Sequence, residues 1–174
     1  MAESQGFADV QVPDSFEIFY RQEFTSVVAL AYGLCGSRHA AEDLAQDAFL
    51  RVHRDWSRVQ NMASPGGWVR RIVINLARSR FRRLRSEATA RLRLGRPPIT
   101  MMQPSSESDE FWREVRKLPS RQAEVIALHY VDDLSIAAIA DLLGIAQGSV
   151  KASLHQGRER LKRLLQAKGL LNET

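Results

Sequence analysis

A stretch near the middle of the chain concentrates arginine. Residues 68–87 (WVRRIVINLARSRFRRLRSE) contain seven arginines and one acidic residue. In a helix, a set of polar side chains falls at steps of four, three, four and three and shares one face: Arg71, Asn75, Arg78, Arg82 and Arg85. Guanidinium groups neutralise phosphates, and an amide can hydrogen-bond to a base edge. This face therefore predicts nucleic-acid binding, with a solvated basic face beside an acidic helix as the alternative.

The charges are segregated along the chain. Residues 1–56 hold nine acidic against four basic residues, residues 70–93 hold nine arginines against Glu87, and residues 151–168 hold six basic residues against Glu159. The net charge of +5 and the isoelectric point near 9.9 favour a polyanionic partner, either nucleic acid or an anionic membrane surface. The acidic residues of segment 1–56 indicate a second partner of a different kind.

A second motif lies near the C-terminus. In SIAAIADLLGIAQGSVKASLHQGRERL (residues 135–161), apolar residues predict a first helix, Gly144 a tight turn, and Val150 and Leu154 the packing of a second helix. This pattern is typical of a helix-turn-helix, whose second helix enters the major groove. A plain helical hairpin in a bundle would share the apolar spacing, but the basic residues that follow favour DNA binding.

The elements that position these motifs are predicted to be helices. Helices are expected from Ser15 to Gly36, from about Arg38 to Trp56, from Ser64-Pro65 to about Leu94, and as short helices after residue 109. Ile72, Val73, Leu76 and Phe81 are expected to pack on the first two helices, and Trp68 is interpreted as core packing. We predict an all-α protein of two small helical domains, joined by the proline-containing linker GRPPITMMQPSSESD, residues 95–109.

The sequence lacks the residues that several classes of function require. Cys35 is the only cysteine and lies in an apolar run, so we expect a buried, inert thiol. The four histidines show no ligand spacing, and no phosphate loop, nucleophile elbow or zinc signature is found. We expect no catalytic residue, metal, cofactor or small-molecule substrate. Without a signal peptide or a spanning apolar run, we expect no membrane insertion and a soluble, cytoplasmic protein.

Three motifs, in order, resemble the extracytoplasmic-function group of bacterial RNA polymerase sigma factors. AEDLAQDAFLRVHRDW is similar to that group's second conserved helix, and WVRRIVINLARSRFRR is similar to its promoter-melting helix. Residues 118–161 are similar to its C-terminal helix-turn-helix domain. The resemblance implies a tail at 1–14, a sigma region 2 domain at 15–94, the linker at 95–109 and a sigma region 4 domain at 110–174.

The resemblance also implies partners and sites. The partners would be core RNA polymerase (the clamp of the largest subunit and the flap of the second-largest), promoter DNA and an anti-sigma factor. The residues implied to bind core polymerase are Asp43, Leu44, Gln46, Asp47 and Phe49. Those implied at the minus-ten element are Asn61, Arg71, Asn75, Arg78 and Arg82, with the loop 59–67 holding a flipped base. Those implied at the minus-thirty-five element are Ser149, Lys151, Ala152, His155, Gln156 and Arg158.

This sequence departs from the family pattern at a few positions. Ala146 replaces a common serine N-cap, and Ser135 has Ala138 rather than glutamate three residues on. Ile74 stands where the melting helix often has an arginine. The promoter sequence therefore cannot be predicted. A stand-alone helix-turn-helix regulator and a purely protein-binding helical module are the alternative functions.

Overall fold

A computed structural model describes residues 15–95 and 107–170 of the chain. Within these ranges the chain forms helices and no strands, so the predicted all-α class is confirmed. The helices are α1 (Phe16–Cys35), α2 (Arg38–Arg54), α3 (Trp56–Val59), α4 (Pro65–Arg93), α5 (Glu107–Val115), α6 (Ser120–Tyr130), α7 (Ile136–Leu143) and α8 (Gln147–Ala167).

The ends of the first two helices follow the sequence signals. The Ser15 hydroxyl accepts a hydrogen bond from the Ile18 N–H at 3.3 Å, and Gly36 ends α1 in the left-handed conformation, with φ of 73°. The Ser37 hydroxyl caps α2 in the same way through the Ala40 N–H. Helix α2 buries residues at helical spacing: Ala41, Leu44, Ala48 and Val52.

Helix α4 is the longest helix among the described residues and carries the arginine-rich stretch. Pro65 occupies its first turn, where a missing N–H costs nothing, and the Ser64 hydroxyl accepts from the Gly67 N–H at 3.1 Å. Its second half, from residue 81 to residue 90, is exposed throughout. The expectation that Phe81 packs on the first helices is wrong, because its side chain is 52% exposed.

The segment before the C-terminal helices differs slightly from the prediction. Helix α5 begins at Glu107, so it includes the last three residues of the predicted linker. Acidic residues such as Asp109 suit the first turn of a helix, because the helix dipole is positive there. Residues 96–106 lie outside the described residues, as do the predicted tail and the last four residues of the chain.

Two hydrophobic clusters hold the helices together. The first joins α1, α2 and α4 through residues such as Val27, Ala45 and Val73. The second joins α5 to α8, and it also includes Leu30 of α1 and Ile74 of α4. The two halves of the molecule therefore pack directly against each other.

No helix in the described part of the chain is both long and apolar enough to cross a bilayer.

Candidate nucleic-acid interface

The basic row on α4 is mostly accessible. Arg71, Asn75, Arg82 and Arg85 are exposed, and Arg78 is partly buried. The Asn75 Oδ1 accepts a hydrogen bond from Nη1 of Arg78 at 3.4 Å. The amide lies beside a guanidinium, as the spacing predicts, and its NH₂ group faces solvent without a hydrogen-bond partner among the described residues.

The loop before α4 forms one side of a cleft. Asn61 is exposed, and its side-chain amide donates to the Ser57 carbonyl oxygen at 2.7 Å. The cleft holds about 170 Å³. It is lined on this side by Met62, Ser64, Gly67, Trp68 and Arg71, and on the other by Ala138, Asp141 and Leu142 of α7.

Trp68 both packs and lines this cleft. Its side chain is partly buried against the N-terminal cluster, which confirms the interpretation as core packing. The guanidinium of Arg58 lies over the ring, 5.6 Å from its centroid. The indole therefore forms part of the cleft wall and also contacts a cation.

Arg78 is paired with the C-terminal half. Its Nε and Nη2 donate to the two carboxylate oxygens of Glu124 on α6, at 2.5 and 2.6 Å. These charge-assisted hydrogen bonds raise the pKa of Arg78 above its usual value. Two parallel bonds to one carboxylate give the fork geometry that arginine also uses for a phosphate.

Arg70 was not predicted as a site residue. Its guanidinium contacts Glu23 on α1 at 2.6 Å, the Ser26 hydroxyl at 2.9 Å, and Asp132 after α6 at 2.9 Å. Burial lowers the pKa of Arg70, but the two carboxylates outweigh that effect and raise it. The sequence alone does not show which of several adjacent arginines is buried, because the carboxylates that pair with Arg70 lie far away along the chain.

The helix-turn-helix has the predicted geometry. The Ser135 hydroxyl caps α7 through the Ala138 N–H at 3.2 Å, and Gly144 ends it with φ of 65°. Ala146 begins α8 without a side-chain cap, as its methyl group requires. Val150 and Leu154 are buried and hold α8 against its neighbours.

The outer face of α8 is open. The residues implied at the minus-thirty-five element are all exposed: Ser149, Lys151, Ala152, His155, Gln156 and Arg158. Two of them are held by neighbours. Nε of Arg158 donates to the Tyr130 hydroxyl at 2.8 Å, and the Gln156 Oε1 accepts from the Gln122 side chain at 3.3 Å.

The acidic face of α2 is only partly as expected. Asp43, Gln46 and Asp47 are exposed, but Leu44 and Phe49 are buried in the N-terminal cluster. Leu44 and Phe49 therefore support α2 from inside in this structure, and their contact with core polymerase stays a prediction. Leu50 is 57% exposed beside the acids, and sequence periodicity did not single it out.

Cys35 lies at the end of α1. It is partly buried rather than fully buried, and its thiol lies 3.4 Å from the Ser37 carbonyl oxygen. Desolvation raises the pKa of the Cys35 thiol. A raised pKa disfavours the reactive thiolate, which agrees with an inert thiol.

Two family models match the chain. Sigma-70 region 2 matches residues 19–87, and Sigma-70 region 4 matches residues 108–161. The first range contains the basic row of α4, and the second contains α7 and most of α8.

Whole-chain relatives agree with these matches. The chain is 30% identical to the ECF RNA polymerase sigma factor SigW of Bacillus subtilis, over 80% of this chain and 82% of the relative. It is also 30% identical to SigM of Mycobacterium tuberculosis, over 91% and 79% respectively.

A solved structure shares the fold. The sigma factor RpoE of Bartonella quintana, in complex with the anti-sigma factor NepR, aligns with a TM-score of 0.72 at 21% identity. The alignment covers 87% of this chain and 96% of that one. The chain therefore belongs to the extracytoplasmic-function sigma factors of RNA polymerase, which direct promoter recognition and transcription initiation.

Proposed function

We propose that the chain performs these steps with three separate faces. The acidic face of α2 binds core polymerase, the basic row of α4 with the loop 59–67 binds the minus-ten element, and the outer face of α8 binds the minus-thirty-five element. The observation that carries the proposal is the separation of exposed acids on α2 from exposed basic residues on α4 and α8. Acidic residues on the DNA-binding faces would repel the DNA phosphates, so their separation onto α2 favours binding.

At the minus-ten element, the proposed role of α4 is to hold a separated strand. Arg71, Arg78 and Arg82 neutralise its phosphates, and Asn75 contacts a base edge. The loop 59–67, with Asn61 and the neighbouring Trp68 indole, receives a base that leaves the stack. Unstacking a base costs a few kcal/mol. Contacts of the base edge and ring in such a pocket offset that cost.

At the minus-thirty-five element, α8 reads duplex DNA in the major groove. His155 and Gln156 point from its exposed face and can hydrogen-bond to base edges, while Lys151 and Arg158 neutralise phosphates. Ser149 and Ala152 complete this face near the start of the helix. The hydrogen bond and ring contact with Tyr130 restrict the Arg158 guanidinium, so less side-chain entropy is lost on binding.

The proposed protein partners are the clamp of the largest polymerase subunit at α2 and the flap of the second-largest subunit at the C-terminal half. Asp43, Gln46 and Asp47, with Leu50 beside them, provide acidic and apolar contacts for the clamp. The related Bartonella protein was solved with an anti-sigma factor. We propose such a partner here as well, for a protein that acts in the cytoplasm and catalyses no reaction itself.

Transcription reconstituted from purified core polymerase and this chain tests the proposal. On fragments of the source genome, the chain should direct transcripts from a defined set of start sites. Changing Asp43→Lys together with Asp47→Lys should weaken core binding by about tenfold or more, because two attractive contacts become repulsive. The control Glu17→Lys, on the exposed face of α1, should leave core binding unchanged.

One result would favour the stand-alone regulator instead. If no promoter-directed RNA appears while the chain alone binds one duplex site tightly, the three-face proposal fails.

A further inference from the structure

A residue on another helix holds the side-chain amide of Gln156. Gln156 lies on the exposed face of α8, and its Oε1 accepts a hydrogen bond from Nε2 of Gln122 on α6 at 3.3 Å. Gln122 is buried, with only 7% of its surface exposed. A buried amide therefore contacts the exposed amide that we assign to a base edge.

A glycine brings the two helices close together at this point. Gly157 follows Gln156 on α8 and is buried. A Cβ atom at Gly157 would lie 2.8 Å from Cδ1 of Ile126 and 3.4 Å from Cβ of Gln122. Ile126 is fully buried, so α6 provides a fixed support that places the Gln122 amide beside α8.

The amide of Gln122 is costly if its role is stability alone. Its Oε1 is buried, and this oxygen has no hydrogen-bond partner among the residues that the structure describes. A buried polar atom without a partner loses its hydration and gains no hydrogen bond in exchange. An apolar side chain of similar size would avoid that cost. What the amide does provide is the hydrogen bond to Gln156.

The direction of this hydrogen bond determines which group of Gln156 is left for DNA. A glutamine that pairs with adenine uses its oxygen and its NH₂ group side by side, on N6 and N7 of the base. Here the Gln156 oxygen is directed to Gln122, which leaves the NH₂ group, a donor, for a base. Guanine presents two acceptors in the major groove, N7 and O6, so a donor fits guanine better than adenine.

We propose that Gln122 is a positioning residue for recognition of the minus-thirty-five element. It holds the amide oxygen of Gln156 against α6, so Gln156 presents its NH₂ group to the major groove and selects a G·C over an A·T base pair. Gln122 acts through Gln156 and needs no contact with DNA of its own. This inference rests on the proposed contact of Gln156 with a base edge.

Selection of minus-thirty-five elements by the complex of this chain with core polymerase tests the proposal. The probe is a library of duplexes built on one promoter that the complex uses, with the minus-thirty-five region randomised. The readout is the base frequency at each position among the bound duplexes. Gln156→Ala identifies the base pair that Gln156 contacts, because only there should the frequencies change. At that pair the unmodified chain should favour G·C over A·T by about fivefold or more, each in its better orientation.

Gln122→Met removes the hydrogen bond and keeps a side chain of similar length. The Gln156 amide is then free to turn and pair with adenine through both of its groups, so the preference for G·C should fall by about fivefold or reverse. Thermal unfolding of this variant should show no loss of stability, since the buried oxygen is removed with the bond. Gln122→Leu, a second apolar replacement, should give the same change of preference.

Two controls separate positioning from general support of α8. Gln166→Met makes the same chemical change at a partly buried residue near the end of α8, and it should leave every base frequency unchanged. In a chain that already carries Gln156→Ala, adding Gln122→Met should have no further effect on base preference, because the residue it acts through is gone. A further effect of equal size in that chain would overturn the proposal.

The other outcomes distinguish this inference from the proposed function. If Gln156→Ala changes the base frequencies while Gln122→Met and Gln122→Leu leave them as they were, positioning by Gln122 is overturned and the base contact of Gln156 stands. An unmodified chain that favours A·T at the contacted pair also overturns positioning alone. If Gln156→Ala changes no base frequency, the base contact and the positioning role both fail.

Discussion

Helices α4 and α8 carry the two basic faces of the chain, and they differ in what lies against them. On α4, Arg78 is paired with the buried Glu124, and Arg70 is held between carboxylates of both halves. On α8, Lys151 and Arg158 have no carboxylate partner among residues 15–95 and 107–170, and both are exposed. On the face proposed for separated DNA, one arginine of the row is paired with the C-terminal half, whereas no basic residue of the face proposed for duplex DNA has a carboxylate partner among the described residues.

The two faces therefore differ in what the proposed DNA binding would require of the protein. The outer side chains of α8 already face solvent, so the proposed duplex recognition requires no rearrangement of this face. On α4, Glu124 pairs with Arg78 of the proposed strand-binding row, and α7 lines the cleft beside Trp68. We expect the following changes to separate the proposed roles of the two faces, from the largest effect to the smallest.

The largest effect is expected for Asn75→Ala in the polymerase complex. Losing an amide contact to an unstacked base should cost about 2–3 kcal/mol in promoter opening. Initial binding of the closed promoter should change little, since the base is then still paired. Permanganate reactivity of the melted strand measures opening, and gel retardation measures closed binding.

Thr89→Ala is the matched control for Asn75→Ala. Thr89 lies on the exposed second half of the same helix, and its hydroxyl donates only to the Arg85 carbonyl oxygen. Equal losses of closed and open complexes with Asn75→Ala would contradict a role in base capture.

The second-largest effect is expected for Glu114→Gln, which should lower the free energy of unfolding. The buried Glu114 carboxylate pairs with Lys117 at 2.9 Å and with Lys168, just after α8, at 2.5 Å. Burial raises the pKa of Glu114, but the two lysines outweigh it and hold the pKa below its ordinary value of 4.5. The variant should lower the free energy of unfolding by about 2 kcal/mol at pH 7.

The pH dependence of that loss follows from the direction of the Glu114 pKa shift. A carboxylate with a lowered pKa stabilises the fold above its unfolded pKa, and the contribution disappears as the pH falls through the folded value. Urea unfolding should therefore show the difference between Glu114→Gln and the unmodified chain shrinking below about pH 4.5. A difference that stays constant between neutral and acidic pH would show that packing, and not charge, is lost.

A smaller effect is expected for His155→Ala and Gln156→Ala on the open face. Each should weaken binding of the polymerase complex to its minus-thirty-five element by about 1 kcal/mol. On a promoter with that element scrambled, the variants should match the unmodified chain. Losses of equal size on both promoters would mean that these side chains do not read bases.

The smallest effect is a gain in stability. Ala146 has the extended backbone of an N-cap, with φ of −66° and ψ of 145°, but no side-chain oxygen. Ala146→Ser should supply a hydrogen bond to the first turn of α8 and raise the free energy of unfolding by about 0.5–1 kcal/mol. Thermal unfolding measures it, and a lower melting temperature would show that the hydroxyl is not accommodated.

Local signals in the sequence predict much of this structure. The caps at Ser15 and Ser135, the turn at Gly144 and the exposed residues of α8 follow from short-range patterns, which depend only on neighbours along the chain. The short helix α3 was missed because its four residues carry no periodicity of their own.

The contacts between the halves could not be predicted in the same way. Ile74 looked like a simple replacement within a basic helix, and Arg70 looked like one more arginine in the stretch. Their partners, Leu118 and Asp132 among them, are distant in sequence, and a predicted flexible linker gave no reason to bring them together. Periodicity identifies a buried face but does not say what buries it.

Site-specific photo-crosslinking in the polymerase–promoter complex tests the central assignment most directly. A photoreactive amino acid replaces Asn75 in one protein and Asp47 in another, and each complex is irradiated after promoter opening. We predict that position 75 crosslinks to the non-template strand of the minus-ten region and position 47 to the largest polymerase subunit. Crosslinks from position 75 to polymerase alone, with none to DNA, would contradict the account.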